Sequence, residues 1–475
     1  MKRTMIIICV FLGLLGAAWG IWQSGQDRFV TIDSVRYSRD ITELDLSGKP
    51  VADWDKLAQL SNLTRLDLRG CHIAPDQFSR LRQALPQCQI LWELPFQGKF
   101  YPLDTRQITI SSLDQSDIML LDYLSQLETV DAAACRDYEA LQILRQRRPE
   151  CQVLYQVEIG GKFWPQDTTQ ITIPGASPDS LQQAAALLPE LTTICLTEVV
   201  TDCQALYSFL QSNPQLECHW RFQLHGVTVS NRDTEIDLSG IPLENTQELE
   251  YALRYFTGLE KVILCDCGIS NEEMAALRSR NPHIQFVWTV DIGPIRLRTD
   301  AQYFMPYQYG WDVTNADCAN LIYCTELICV DFGHMPISKI DFLKNCTKMK
   351  YLLLGDTRVS DLSVCANMPD LIFAELFLTR VKDLSPLVCC GKLEDLNIGH
   401  TNISDVAPLC QMPWLKNLWA KTSHLSRQEQ QQVIAALPNT VINFNEGDSS
   451  TDEGWRRLQN YYDMRDLLGM PYFTG

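Results

Sequence analysis

Leu327–Ile337 reads LICVDFGHMPI, Met349–Val359 reads MKYLLLGDTRV, Leu371–Val381 reads LIFAELFLTRV, Leu393–Ile403 reads LEDLNIGHTNI and Leu415–Leu425 reads LKNLWAKTSHL. These segments start 22 residues apart and share the spacing LxxLxLxx(T/S)xL. A unit this short cannot bury its own apolar face, so a fixed period of this length means stacked copies sharing one continuous core. Within each copy, LxL puts two side chains on the inner face of a strand and leaves the intervening residue on the outer face. Met335, Thr357, Thr379, Thr401 and Ser423 share an inward position where a polar side chain has to satisfy buried backbone groups at the bend.

The pattern resembles the leucine-rich repeat family. The stretches after the strands, VKDLSPL from Val381 and ISDVAPL from Ile403, are similar to the short repeats of internalin-type bacterial surface proteins. The resemblance implies an α/β solenoid, with parallel strands on one face and helices or short turns on the other. It also implies that the strand face is the usual contact surface.

The earlier chain repeats on a longer unit. Pro86, Pro149, Pro214 and Pro282 stand 63, 65 and 68 residues apart, each after a helix-like stretch such as RQALPQC or RSRNPHI. Alternate residues after them are apolar, as in Cys88, Ile90, Trp92, Leu94, Phe96 and in Ile284, Phe286, Trp288, Val290, Ile292, which reads as a strand. An aromatic recurs at Trp92, Tyr155, Trp220 and Trp288, and a glycine turn follows at Gly98, Gly161, Gly226 and Gly293, which predicts a strand running into a hairpin. LxxLxLxx(C/V) segments start at Leu63, Leu127, Leu191 and Leu259, so the array is expected to be continuous from about Ile41 to Val290.

The expected organisation is a leader over 1–26, super-repeats of about 64 residues over 27–300, an aromatic joint over 301–325, the regular repeats and a cap over 326–445, and a tail over 446–475. The joint, AQYFMPYQYGWDVTN, is read as a cover for an open sheet edge, with an exposed binding loop as the alternative. SRQEQQQVIAALPNTVINF, from Ser426, returns to the helix, proline and strand style and is expected to cap the array. LPNT at Leu437 lacks the Gly and apolar tail of a sorting signal and reads as the end of that helix. In the tail, Ser450 with Glu453 fits a capping box, and Trp455, Leu458, Tyr461, Tyr462, Met464 and Leu468 fit an amphipathic helix, expected to dock as a lid on the last repeat.

Lys2 and Arg3 precede an apolar run from Met5 to Trp22, which suits either a cleaved signal peptide or a membrane anchor. Cys9 lies inside the run, so no lipid-accepting cysteine follows it. Two positive charges before the run and an acidic chain after it predict an extracytoplasmic body, secreted or anchored by this segment if it is uncleaved. A formal charge of −18 argues against nucleic acid or anionic lipid as the main ligand.

Eighteen cysteines suggest a disulfide framework, but Cys71, Cys135 and Cys267 take the inward ladder position and read as small core residues. Positions one long unit apart lie about three strands, roughly 14 Å, from one another, too far to bridge. Cys346 with Cys365 and Cys390 with Cys410 remain within reach, and Cys389 faces outward. No HExxH, CxxC, GxSxG, GxxxxGK(S/T) or GxGxxG motif is present, and His334 and His400 are three strands apart, so no enzyme activity, metal or cofactor is expected.

The outward positions of the regular repeats place Tyr351, Leu353, Phe373, Phe377 and Leu378 in one apolar cluster, with Asp356, Glu375, Asp395 and Asn397 around it and Trp419 at its end. Aromatics inside a polar rim are what a protein interface or a glycan-stacking site needs, the alternative being that the C-terminal tail, a second copy or the curvature of the array covers the patch. The expected function is non-enzymatic binding of another protein or a surface glycan through this face. The alternatives are a structural envelope component without a selective ligand, or a carrier scaffold for an envelope enzyme.

Overall fold

The structure is a computed structural model that describes residues 28–175, 177–421, 424–444 and 454–472. The described chain forms two compact units. One runs to Glu198 and includes Gln204–His219; the other comprises Val199–Cys203 and everything from Trp220 onward.

The first unit opens with a hairpin, Phe29–Ile32 against Val35–Ser38. A parallel sheet of Glu43–Asp45, Arg65–Asp67 and Gln89–Leu91 follows, in register. Helix Pro75–Ala84 packs its i, i+3 pair Phe78 and Leu81 inward and stops at Leu85, because the following proline disfavours a helical residue before it. Trp92 is buried against the helix, stacked on Phe78 at 4.1 Å, and its indole N–H donates to the Ile73 carbonyl at 3.2 Å. The chain then turns into the hairpin Glu93–Phe96/Lys99–Pro102, with Gln97 and Gly98 at φ 45° and 75°. A second copy has strands Gln107–Thr109, Thr129–Asp131 and Gln152–Leu154, then hairpin Gln156–Ile159/Lys162–Pro165.

The second unit holds another copy, with parallel strands Glu235–Asp237, Lys261–Ile263 and Gln285–Val287 and hairpin Thr289–Ile292/Ile295–Arg298. After Pro86, Pro149 and Pro282 the alternating run is two short strands divided at the buried aromatic, whereas after Pro214 it is the single strand Glu217–Leu224, as the alternation predicts. The ladder expected from about Ile41 to Val290 is interrupted accordingly: among the described residues these three copies are separate three-stranded sheets, and the remaining copy is a four-stranded sheet of Gln170–Ile173, Thr193–Val200, Glu217–Leu224 and Val227–Ser230. A hairpin strand spends one hydrogen-bonding edge on its partner, so a ladder passes into a hairpin only where one strand serves both, as Glu217–Leu224 does between Thr193–Val200 and Val227–Ser230.

From Tyr303 the ladder becomes regular. Seven parallel strands run in order through Tyr303–Phe304, Cys329–Asp331, Tyr351–Leu353, Phe373–Glu375, Asp395–Asn397, Asn417–Trp419 and Val441–Asn443. The segment read as a joint thus supplies the first strand of the sheet. Phe304 is fully buried, 5.9 Å from Phe332, because a strand edge with an aromatic inside it completes the core better than a loop laid over it. Returning legs are 3-10 turns such as Ser363–Asn367 and Ser385–Cys389, since 22 residues leave no room for a longer helix. Asp361 and Asp383 cap these turns by accepting from the N–H groups of Ser363 and Ser385, both at 2.8 Å.

The ladder hydroxyls behave as their position requires. Thr357, Thr379 and Thr401 donate to the carbonyls of Leu354, Leu376 and Ile398 at 2.8, 2.7 and 2.6 Å; Ser423 lies outside the described residues. Neither Cys346 with Cys365 nor Cys390 with Cys410 forms a disulfide. Cys71 and Cys267 donate to the Leu46 and Leu238 carbonyls of the preceding turn at 3.0 and 3.2 Å, so at the same ladder position cysteine bonds across turns where threonine bonds within its own. Helix Arg427–Ala436, started by a Ser426/Glu429 capping box and ended at Leu437, leads to the last strand.

Candidate functional site

The outward column of the seven-stranded sheet begins Cys329, Tyr351, Phe373, and the register sets these side chains one above another. Across this face lies the tail, a 3-10 turn Trp455–Arg457 followed by helix Gln459–Leu468. Tyr461, Met464, Arg465 and Leu468 form the helix's buried stripe, the i, i+3, i+4, i+7 pattern of an amphipathic helix. Tyr461, Met464 and Leu468 join Met305, Cys329, Tyr351, Leu353, Phe373, Trp419 and Trp455 in one apolar cluster. The helix stops at Gly469, whose φ of 61° suits a residue without a side chain, and the Met470 N–H returns to the Arg465 carbonyl at 2.9 Å.

Trp455 is the keystone. It is 0% exposed, with its ring 4.7 Å from Phe373 and 5.5 Å from Trp419, and its indole N–H donates to Glu375 at 2.7 Å. Asn460 donates to Asp395 at 2.9 Å and to Glu394 at 3.2 Å, while Asn417 donates to the other Asp395 oxygen at 2.7 Å. Gln308, from the segment that opens the sheet, donates to the Leu468 carbonyl at 2.9 Å. Both ends of the helix are therefore tied to the sheet by polar contacts, and its middle by apolar ones.

The carboxyls beneath the helix are perturbed. Burial pushes Asp331, Glu375 and Asp395 above the ordinary carboxylate range, only partly countered by hydrogen bonds and, for Asp331 and Glu375, by the charges of Arg465 and Arg456. Glycine makes the space for these side chains: a Cβ at Gly355 would lie 3.0 Å from a Glu375 carboxylate oxygen. The Asp331 and Asn397 side chains fold back to accept from the N–H groups of Gly333 and Gly399, both at 2.9 Å.

Of the residues expected at the interaction face, Tyr351, Leu353, Phe373, Phe377, Asp395, Asn397 and Trp419 are buried and Glu375 is half-buried. Leu378 alone is exposed, at 44%. Phe377 sits apart from the tail cluster with its ring 5.1 Å from His400, and the Asn397 amide N is buried with no hydrogen-bond partner among the described residues. The residues do converge, but their common surface is occupied by the chain's own helix. Arg465, Met305 and Gln308 belong to the same assembly and were absent from the sequence reading. The spacing 461, 464, 465, 468 already contains Arg465, whose charge hid it among apolar candidates.

Tyr307, Tyr309 and Trp311 are exposed at 72%, 46% and 54%. Among the described residues no group of three or more His, Cys, Asp or Glu is arranged to hold a metal ion. No described helix is long and apolar enough to cross a membrane, and both Met5–Trp22 and the Ser450/Glu453 capping box lie outside the described residues.

No family model and no curated protein matches the chain. Among solved structures it is similar to an internalin from Listeria monocytogenes, at 15% identity over 91% of this chain and 88% of that one, TM-score 0.26. It is similar to an internalin C2 of the same organism at 23% identity over 26% of this chain and 63% of that one, TM-score 0.22. A leucine-rich repeat protein of Leptospira interrogans matches at 15% identity over 86% of this chain and 96% of that one, TM-score 0.25. The in-register LxL strands of the seven-stranded sheet give the second unit a leucine-rich repeat fold, and the strand face of that sheet is closed by the C-terminal helix of the same unit.

Proposed function

We propose that this protein is a non-enzymatic, extracytoplasmic binding scaffold that recognises another protein through the strand face of its regular repeats. The C-terminal helix holds that face until a partner presenting a comparable amphipathic helix displaces it. The observation that carries the reading is the seat of Trp455: an aromatic anchor in an apolar pocket, with its one polar atom satisfied by Glu375, is how a helix is gripped in a groove. The tail is thereby a template for the partner, which is expected to carry an aromatic anchor and basic residues corresponding to Arg456 and Arg465. Raised carboxyls and a helix-shaped groove favour a protein over a surface glycan. The N-terminal run behind Lys2 and Arg3 supports placement outside the cytoplasm.

The test uses a labelled peptide spanning Gly454–Tyr472 and fluorescence anisotropy. A full-length Trp455→Ala/Tyr461→Ala variant is expected to bind the peptide. The natural chain should bind it at least about tenfold more weakly, because a tethered helix competes at high effective concentration. Adding Phe373→Ala to the opened variant should abolish binding. Failure of the opened, folded variant to take up the peptide would leave the helix as a fixed piece of the fold and remove displacement from the account.

A further inference from the structure

A second constellation lies in the first unit. Strand Gln170–Ile173 pairs in parallel with Thr193–Val200, and Cys195 stands on the outward side of the latter, flanked inward by the buried Ile194 and Leu196. The next strand brings His219 beside it, with Nδ1 3.6 Å from the Cys195 Sγ. The opposite ring nitrogen, Nε2, is held 2.7 Å from a Glu217 carboxylate oxygen, and the Gln170 amide donates to the same Sγ at 3.4 Å. Cys195 and the 28%-exposed His219 are half-buried, so the thiol is reachable while its partners are held by the sheet.

Each contact has a chemical role. A carboxylate on Nε2 fixes the tautomer in which that nitrogen carries the proton, leaving Nδ1 free to accept from the thiol. The Gln170 amide N–H stabilises negative charge on sulfur. Burial pushes the fully buried Cys318, Cys324 and Cys346 up to about 12, consistent with inert packing. Twenty-four residues separate Cys195 from His219, one turn of the solenoid, so only the strand register brings nucleophile and base together.

We propose that Cys195 is a reactive thiol, activated by His219 and positioned through Glu217, that exchanges with low-molecular-weight disulfides at the strand surface. In the step, the thiol proton passes to His219 Nδ1 and Cys195 Sγ attacks one sulfur of the disulfide. A new S–S bond forms to the protein, the old one breaks, and the departing thiolate takes the proton from the imidazolium. One disulfide and one thiol enter, and one of each leaves, with no net oxidant consumed.

The test exposes the reduced full-length chain to oxidised glutathione, quenches with acid at intervals and quantifies each cysteine by peptide mass spectrometry. Cys195 is expected to be modified at least about tenfold faster than the exposed Cys389, which serves as the internal reference. His219→Ala should slow Cys195 by about tenfold and Glu217→Gln by about threefold, with Cys389 unchanged in both. The Glu217→Gln variant, which alters only an exposed side chain, keeps the test valid should His219→Ala disturb the sheet. Equal rates at Cys195 and Cys389, or a Cys195 rate indifferent to both substitutions in folded protein, would overturn the proposal.

Discussion

The same strand position carries opposite chemistry in the two styles of repeat. In the earlier sheets the outward column reads Glu43, Arg65, Gln89, then Gln107, Thr129, Gln152, and later Glu235, Lys261, Gln285. In the last sheet it reads Cys329, Tyr351, Phe373, Asp395, Asn417. The inward LxL residues are alike in both, so the ladder is indifferent to what faces out. Where the column is polar the chain leaves it to solvent and ion pairs, such as Lys261 with Asp300 at 3.2 Å; where it is aromatic the chain covers it. The outward column, rather than the repeat, thus determines what each face does.

Phe373→Ala is the most severe way to break this contrast. Phe373 is fully buried between the sheet and Trp455, so its removal should cost about 3–5 kcal/mol. Thr129→Ala, at the same position in an earlier sheet, should stay within about 0.5 kcal/mol. Denaturant unfolding followed by tryptophan fluorescence measures both, and amide exchange of Gln459–Leu468 reports whether the helix leaves first. Similar costs at the two positions would mean that the helix adds nothing to the face it covers.

Proton linkage separates the faces further. The carboxyls of Asp331, Glu375 and Asp395 are raised by burial under the helix, so the docked state binds protons more tightly than the undocked one. Their contribution to docking is full below the ordinary carboxyl range near pH 4 and is lost as pH rises through the raised values. The groups facing them are Arg456, Arg465, His334, Lys416, Glu394, Asn417, Asn460 and Trp455, and the mutual repulsion of Asp331 and Glu375 acts in the same sense. Amide exchange of the helix should accordingly be slower at about pH 5 than at about pH 8, after correction for intrinsic rates, and Glu375→Gln should flatten the dependence. Docking that tightens as pH rises would refute this linkage.

The repeat, its ladder hydroxyls and the helix ends before Pro86, Pro149 and Pro282 were legible because each depends on local spacing. The amphipathic tail was legible too, through Trp455, Met464 and Leu468, as a helix needing a surface. Its surface was legible only as a choice between the last repeat and the aromatic patch of the strand face, since periodicity gives the direction of a stripe and not its partner, and the helix takes the patch. The break into separate sheets was hidden because LxL reads the same whether the neighbouring strand is a ladder partner or half of a hairpin. Cys195 and His219 escaped motif reading for a related cause: their proximity exists only across the register of stacked turns.

Leu378 offers the mildest and most discriminating change. It sits one residue before a ladder threonine with φ 57°, the left-handed region, where the equivalent residues are His334, Asp356 and His400 at 64°, 55° and 56°. Gly70 and Asp266 fill the same corner in the earlier copies at 69° and 60°. Leucine is the only one of these that gains nothing from the corner, for it lacks both glycine's freedom and a polar side chain to bond locally, and a left-handed conformation costs such a residue about 1–2 kcal/mol. Leu378→Asn should therefore stabilise the last sheet by about 0.5–1 kcal/mol in denaturant unfolding. Since Leu378 is also the exposed member of the predicted contact face, the same variant tests why leucine is tolerated there. A gain in stability with weaker uptake of the Gly454–Tyr472 peptide by the opened scaffold would mean that the strain is kept for binding. A gain with unchanged uptake would confine the contact face to the pocket around Phe373 and Trp419.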